Sequence, residues 1–277
     1  MGLRVTTNVA SINAQKSMAT SQREIQKSFA QLSSGSRITK AADDAAGLSI
    51  SETLKSTIRG YTQAQRNAND GISMVQVAEG GLGEISNILT RLRELGVQAS
   101  SDTVGDTERG FIDKEVQQLK SEVDRIAQST RFGKSKLLNG EGQEYAFQVD
   151  INNDDFEDRI AFNASELEAT TTALGVDSFD FSDKTNAREG LEVLESSQQM
   201  VNGMRANLGA IQNRLVSTTE NLGVAIENFS AANSRVRDAD VAQSSAELSR
   251  NSVLLNANVA VLAQANAMPQ AALRLIS

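Results

Sequence analysis

Residues 187–236 read AREGLEVLESSQQMVNGMRANLGAIQNRLVSTTENLGVAIENFSAANSRV. Apolar residues recur every seven positions in this stretch without interruption, at Ala187, Leu194, Val201, Leu208, Leu215, Leu222, Phe229 and Val236. A seven-residue apolar period is typical of a helix that buries one seam against other helices. At 1.5 Å per residue the predicted helix is roughly 75 Å long, several times the average globular helix of about 11–12 residues.

A second heptad run predicts a comparable rod nearer the start of the chain, at Leu54, Tyr61, Ala68, Val75, Leu82 and Leu89. A shorter run follows at Ile112, Val116, Leu119, Val123 and Ile126. Three such rods can bury their apolar seams against one another as a bundle. Aromatic residues make up only 4% of the chain and there is a single proline, which also favours long helices. The predicted fold class is therefore mainly α, a bundle of long coiled-coil helices.

The two ends of the chain are predicted to be shorter helices, separated from the bundle by turns. After Val236 the seven-residue frame shifts to Val241, Leu248, Leu255 and Leu262, and one helix cannot keep both seams on one face. Near the start, an apolar row of Met18, Ile25, Phe29 and Leu32 precedes the turn 33–36, where Gly35 is predicted to cap the helix.

These terminal helices are predicted to be incomplete on their own. Residues 241–277 carry only three charged side chains, and the face opposite their apolar stripe is rich in Asn, Gln, Ser and Ala. An apolar stripe of this size calls for cover, because soluble proteins rarely expose one. We expect the ends to be buried among copies of the chain and to be largely disordered in the isolated chain.

The middle of the chain changes from a helical period to a period of two. Tyr145, Phe147, Val149 and Ile151 alternate with polar or small residues, and Ile160 and Phe162 follow a polar run at 152–155. This pattern predicts a β-hairpin with a polar tip. Residues 140–185 also hold twelve acidic and two basic residues, so that this segment carries the acidity of a chain whose net charge is −8.

The composition excludes most catalytic devices. Without Cys or His the chain has no thiolate nucleophile, no Ser-His-Asp triad and no HExxH zinc site. Residues 150–161 resemble a calcium loop, but Asp155 stands where Gly is required and Ala161 where a bidentate Glu belongs. We therefore predict no enzyme activity, no cofactor and no metal.

Two further motifs have a structural interpretation. Gly80–Gly83 lacks the Lys-Ser/Thr of a phosphate loop and predicts a small-residue contact inside a helix. Asp43 and Asp44 predict a helix start rather than an acid/base pair. The chain has no basic stripe, no stretch apolar enough to span a bilayer and no secretory signal of the usual kind, so neither nucleic acid nor membrane is an expected partner.

Five stretches together resemble bacterial flagellins: NVASINAQ at 8–15, LSSGSRITKAADDAAGL at 32–48, RNANDGI at 66–72, LGAIQNR at 208–214 and VLAQAN at 261–266. The resemblance covers about the first 140 and the last 90 residues. It implies that residues 1–42 and 237–277 pair as an inner coiled coil of a filament. It also implies outer rods at 43–139 and 186–236 and a hairpin with a variable acidic segment at 140–185.

The same resemblance implies a structural subunit of the flagellar filament, exported through the flagellar type III apparatus to the cell exterior. Its implied partners are further copies of itself, alone or with other flagellins, an export chaperone on the C-terminal helix, and the filament cap and junction proteins. A hook–filament junction protein, which shares the terminal signatures, is the alternative. A protease built on a flagellin scaffold would need a metal site, which the lack of His removes, whereas a free coiled-coil adhesin is compatible with the heptads alone.

Residues 90–98, TRLRELGVQ, resemble the stretch that Toll-like receptor 5 reads in some flagellins. Arg91 and Leu95 are one helical turn apart and are predicted to share a face, and Glu115 occupies the matching place on the next rod. The same surface is also expected to pack between neighbouring subunits. The resemblance therefore marks these three residues as receptor or subunit contacts.

Overall fold

In the computed structural model, residues 7–276 are described, with side chains for residues 7–268. Over this range the chain forms five long helices: α1 Val9–Ser34, α2 Ala45–Ala99, α3 Asp106–Ser129, α4 Lys184–Arg237 and α5 Val241–Ile276. Helices α2 and α4 contain 55 and 54 residues and are each about 80 Å long. The predicted mainly α fold with long rods is confirmed.

The strands form two antiparallel pairs. The predicted hairpin is confirmed as β3 Glu144–Gln148 and β4 Arg159–Asn163, with Tyr145 opposite Phe162 and Phe147 opposite Ile160. A smaller hairpin, β1 Arg131–Phe132 with β2 Ser135–Lys136, was not predicted, because two-residue strands are too short to show an alternating pattern. Both hairpins lie between α3 and α4 in the sequence.

Contacts divide the chain into two compact units. The first unit comprises residues 1–56 and 228–277, and the second comprises residues 57–227. In the first unit, α1 ends at a left-handed Gly35 with a φ of 67°, as predicted for the C-cap. The break between α4 and α5 falls at residues 238–240, where the heptad frame shifts.

The two turns of the first unit are joined by backbone hydrogen bonds. Arg37 N donates to Arg237 O at 2.6 Å, and Ala239 N donates to Gly35 O at 2.9 Å. Arg37 also donates its Nη2 to Val236 O at 2.8 Å. These bonds fix the end of α1 beside the start of α5, so that the two helices run antiparallel.

The first residues of α2 are capped by the acidic pair found in the sequence. Asp44 Oδ1 accepts from Gly47 N at 2.8 Å, which is the bond of a helix N-cap. Asp43 Oδ2 accepts from Lys40 N and from the Thr39 hydroxyl, at 2.9 Å each, and these hydrogen bonds lower the pKa of Asp43. The prediction of a helix start at Asp43 and Asp44 is confirmed.

The heptad residues of the rods form the core of the second unit. The fully buried members include Val75, Leu82, Leu89, Val116, Val123, Leu194, Val201, Leu208 and Leu215. They belong to α2, α3 and α4, which therefore pack as the predicted three-rod bundle. Burial of one seam per helix supplies the main apolar stabilisation of this unit.

Residues 164–183, called here the strap, contribute to the same core although they are acidic in composition. Leu174, Val176 and Phe181 of the strap are fully buried. Asp124 on α3 accepts hydrogen bonds from Thr171 N at 2.8 Å and from the Thr171 hydroxyl at 2.7 Å. The strap is thus a structural part of the second unit.

A buried lysine adds a polar anchor for the strap. Lys120 on α3 donates its Nζ to Phe179 O and lies 4.1 Å from the centre of the Phe179 ring. Burial lowers the pKa of Lys120, because the protein interior disfavours its charge. Asp113, on the same helix, accepts from Phe181 N at 3.0 Å. The carboxylates therefore serve the fold as hydrogen-bond acceptors.

Glycines in α2 make room for the segments that pack on the helix. A Cβ added to Gly81 would lie 2.7 Å from Leu138 Cδ1 and 2.7 Å from Thr130 Oγ1. Neighbouring Gly80 faces open space, with no atom within 4 Å of an added Cβ. The predicted small-residue contact within Gly80–Gly83 is confirmed at Gly81.

We predict opposite effects for alanine at these two adjacent positions. Gly81→Ala should lower the free energy of unfolding by about 1–3 kcal/mol, because the new methyl group overpacks against Leu138 and Thr130. Gly80→Ala should raise it by about 0.5–1 kcal/mol, because alanine is the better helix former and nothing is displaced. Urea denaturation followed by far-UV circular dichroism measures both changes. Equal effects of the two substitutions would contradict the assigned contact.

Candidate assembly surface

Helices α1 and α5 pair along a seam with coiled-coil spacing. Its buried or half-buried residues on α1 are Ser11, Ala14, Met18, Ser21, Ile25, Ser28 and Leu32. Those on α5 are Ser244, Leu248, Asn251, Leu255, Asn258, Leu262 and Ala265. In both lists the residues alternate by three and four positions, which is the a/d pattern of a coiled coil.

Polar groups occupy a large part of this seam. Asn258 Nδ2 donates to Ser21 Oγ at 3.3 Å across the pair, and Asn8 Nδ2 donates to Ala265 O at 2.8 Å. Serine and asparagine bury less apolar surface than leucine, so the seam gains less from the hydrophobic effect than a leucine zipper does. Polar residues at such positions set the register of a coiled coil at a cost in stability.

Six of the eight predicted inner-tube residues lie in the seam, namely Met18, Ile25, Leu32, Leu248, Leu255 and Leu262. The other two do not, because Phe29 is 66% exposed and Val241 is 61% exposed. The seam uses Ser28 in place of Phe29 and Ser244 in place of Val241. Apolar periodicity favours Phe29 and Val241 for the seam, whereas the structure places small polar residues at these two core positions.

The outer faces of the pair carry many exposed apolar side chains. On α1 they are Val9, Ile12 and Phe29, and on α5 they are Val241, Val253, Leu254, Val259, Val261 and Met268. The described side chains of α5 include only two charged ones, Glu247 and Arg250. An exposed apolar surface with so little charge marks a protein–protein contact surface.

The structure brings together Arg91 on α2 and Glu115 on α3, two of the three residues that the resemblance marks as receptor or subunit contacts. Arg91 Nε and Nη2 donate to Glu115 Oε1 at 3.1 and 3.0 Å, and Arg91 Nη1 donates to Glu94 Oε2 at 3.0 Å. The hydrogen bonds to Glu94 and Glu115 raise the pKa of Arg91. Both partners of the Arg91–Glu115 pair remain about half exposed and so are available to another molecule.

The predicted role of Leu95 as a surface contact needs correction. Leu95 is only 2% exposed and belongs to the core of the second unit. Although it is one turn from Arg91, the four-residue step moves it around α2 towards the buried seam that includes Leu92 and Ala99. Of the three residues marked by the resemblance, the structure leaves two on the surface.

The described residues include no set of three Asp or Glu side chains placed to hold a metal ion. None of their helices is long and apolar enough to cross a membrane.

A groove of about 620 Å³ in the second unit is lined by Tyr61, Asp150, Arg159 and Arg214 among others. Burial, with Asp150 and Asp158 nearby, raises the pKa of Tyr61.

Comparison with known proteins finds a family match for the N-terminal part of the chain and another for its C-terminal part. Residues 5–143 match the bacterial flagellin N-terminal helical region, and residues 191–276 match the bacterial flagellin C-terminal helical region. A flagellin from Halalkalibacterium halodurans is 42% identical, over 97% of this chain and 98% of its own length. A flagellin from Bacillus subtilis is 37% identical, over 99% of this chain and all of its own.

A solved flagellin structure agrees with this assignment. A crystal structure of Bacillus cereus flagellin superposes with a TM-score of 0.51 at 31% identity, over 57% of this chain and 88% of that chain. The long antiparallel rods, the half-polar seam of α1 and α5, and the family matches over most of the sequence lead to one conclusion. This chain belongs to the bacterial flagellins, the structural subunits from which flagellar filaments are built.

Proposed function

We propose that the chain polymerises by covering the exposed apolar residues of α1 and α5 with the same helices of neighbouring copies. The observation that carries this proposal is the apolar outer face of the α1–α5 pair, where side chains such as Phe29 and Val253 are about two-thirds exposed. Burial of one valine or phenylalanine side chain contributes about 1.5–3 kcal/mol. Several such residues per chain give assembly a strong driving force.

In this proposal the five sequence segments have distinct places in the filament. Residues 1–42 and 237–277 form the inner tube, and residues 43–139 and 186–236 form the outer tube. The segment 140–185, with its hairpin and strap, lies at the outer surface, where its net negative charge favours solvation. The described structure has no further domain inserted in the middle of the chain, which favours a slender, smooth filament.

We further propose that the chain reaches the cell exterior through the flagellar export apparatus, without catalysing a reaction. An export chaperone would cover α5 until secretion, because the apolar face of this helix is otherwise open to aggregation. The filament cap and junction proteins would contact the growing and basal ends. The hook–filament junction alternative gains no support, since the similar chains described above are flagellins over nearly their full length.

A second proposed role rests on Arg91 and Glu115. Their hydrogen-bonded side chains present a fixed arrangement of charge on the surfaces of α2 and α3, about half exposed. We propose that Toll-like receptor 5 reads this pair in the dissociated chain. Leu95 would support the site from the core rather than contact the receptor, because it is buried.

Removal of α5 tests the assembly proposal directly. Full-length chain added to sheared filament seeds should extend them into long filaments visible by electron microscopy. A variant lacking residues 241–277 should not extend them, because it has lost both the seam partner of α1 and most of the exposed apolar face. Its circular dichroism should still show the helices of the second unit. Extension of the filament seeds by the truncated chain would contradict the proposal.

A single substitution on the outer face should weaken assembly without opening the α1–α5 pair. Val253→Gln should raise the critical concentration for polymerisation about tenfold, since loss of one buried valine costs about 1.5 kcal/mol and a tenfold change in an equilibrium constant is about 1.4 kcal/mol. Val253→Ile keeps an apolar side chain and is the matched control. Sedimentation of polymer at a series of chain concentrations measures both. An unchanged critical concentration for Val253→Gln would place this residue outside the subunit contacts.

The receptor proposal predicts a weaker response to the variant Arg91→Glu. The chain concentration needed to activate reporter cells carrying Toll-like receptor 5 should rise by at least about tenfold, as for a central charged interface residue. Arg125→Glu is the control, since it breaks an exposed ion pair with Glu122 on α3. The exchange Arg91→Glu with Glu115→Arg restores an ion pair but should not restore activation. Recovery in the exchanged variant would assign the pair a purely structural role.

A further inference from the structure

The short β1–β2 hairpin presents a basic surface that the fold does not use. Arg131, Lys134 and Lys136 are exposed, and Phe132 between them is 39% exposed. Throughout residues 7–268, no ion pair or side-chain hydrogen bond involves any of these three bases. The turn is held instead by backbone pairing, by a left-handed Gly133 and by the buried Leu137 and Leu138 that follow it. The basic groups are therefore held on an ordered support.

The loop of the larger hairpin, residues 150–157, has the opposite charge. Asp154, Asp155 and Glu157 flank Phe156, which is 89% exposed. Asp154 Oδ1 accepts from Phe156 N at 2.8 Å and from Glu157 N at 3.0 Å, so the loop is a defined turn. These two hydrogen bonds also lower the pKa of Asp154 and keep its carboxylate charged. Asp155 forms an ion pair with Arg159 of β4.

The two hairpins cannot pair with each other within one chain. Both pack along α2, where Gly60 faces Ile151 of the acidic loop and Gly81 faces Thr130 and Leu138 beside the basic hairpin. These glycines are 21 positions apart, which corresponds to about 32 Å along a helix. That distance is several Debye lengths at physiological ionic strength, where the screening length is about 8 Å. Apart from the Asp155–Arg159 ion pair, the two charged surfaces are therefore not neutralised by one another within the chain.

We propose that the basic hairpin 131–136 of one copy docks against the acidic loop 150–157 of a neighbouring copy in the polymer. The proposal rests on the proposed polymerisation, and it names a contact that lies outside α1 and α5. A second copy is the favoured partner because every subunit of a helical array presents both surfaces, so that one head-to-tail contact repeats without closing. The two exposed phenylalanines supply apolar contact area within the charged surfaces.

Exposed ion pairs contribute little to affinity but strongly affect orientation and association rate. The contact should therefore guide the incoming subunit into register, while α1 and α5 provide most of the stability. Its effect should be largest at low salt, where charges are least screened. The bases and acids involved are Arg131, Lys134, Lys136, Asp154, Asp155 and Glu157, with Arg159 facing the loop from β4.

The test compares elongation rates from sheared filament seeds at about 0.05 M salt, once variant subunits are adding to variant subunits. Lys134→Glu and Glu157→Lys should each slow elongation about fivefold, a typical size for a rim charge acting on association. The combined variant, Lys134→Glu with Glu157→Lys, makes the hairpin less positive and the loop less negative at the same time, so it should elongate more slowly than either single variant. At about 0.5 M salt all four chains should elongate at similar rates.

The control is Lys114→Glu, which makes the same change in net charge at an exposed base on α3. It should leave elongation unchanged, and far-UV circular dichroism should show that every variant is folded. Single variants that elongate as fast as the unmodified chain at low salt, or an equal loss in the control, would overturn the proposed contact. Failure of the unmodified chain to elongate would instead overturn the proposed polymerisation, so the two failures are distinguishable.

Discussion

The pairing of α1 with α5 determines what the rest of the molecule can do. Its seam has coiled-coil spacing, but serine and asparagine fill positions that leucine would occupy in a stable zipper. Much of the large apolar surface lies on the outside instead, at residues such as Phe29 and Val253. Two helices arranged in this way leave apolar surface that contacts with further helices can bury. The balance of burial within the pair thus favours assembly over an independent, finished unit.

The second unit has the opposite balance. Its rods bury complete heptad seams, and the segment between α3 and α4 packs into grooves that glycines such as Gly81 leave open. The strap supplies Phe179 and Phe181 to a core whose other fully buried aromatic residue is Phe162 of the larger hairpin, and Lys120 and Asp124 hold the strap's backbone. Negative charge in this region therefore coexists with a well-ordered structure, because the acidic side chains point to solvent or accept hydrogen bonds.

Long-range periodicity made most of the fold predictable. A heptad repeat continued over fifty residues has few interpretations, and the shift of frame after Val236 located the break before α5 within a few residues. The seam itself was less predictable, because hydrophobicity selected Phe29 and Val241 over the serines that lie in the core. The prediction that Leu95 is a surface contact was wrong for a related reason. A residue one helical turn from Arg91 lies near, but not on, the same face of α2. The basic hairpin gave no signal, because its strands are too short.

The antiparallel closure of the first unit also has a consequence for the order of events during synthesis. Asn8 and Ala265, which are joined by a hydrogen bond, are separated by 257 positions in the sequence. At translation rates of about 5–20 residues per second, the first helix waits roughly 10–50 s before its partner has been made. The central rods can fold in that interval, whereas α1 does not yet have its partner helix α5 in the same chain. In a newly made chain, α1 therefore stays without its partner helix until the ribosome has made α5, so the first unit closes last.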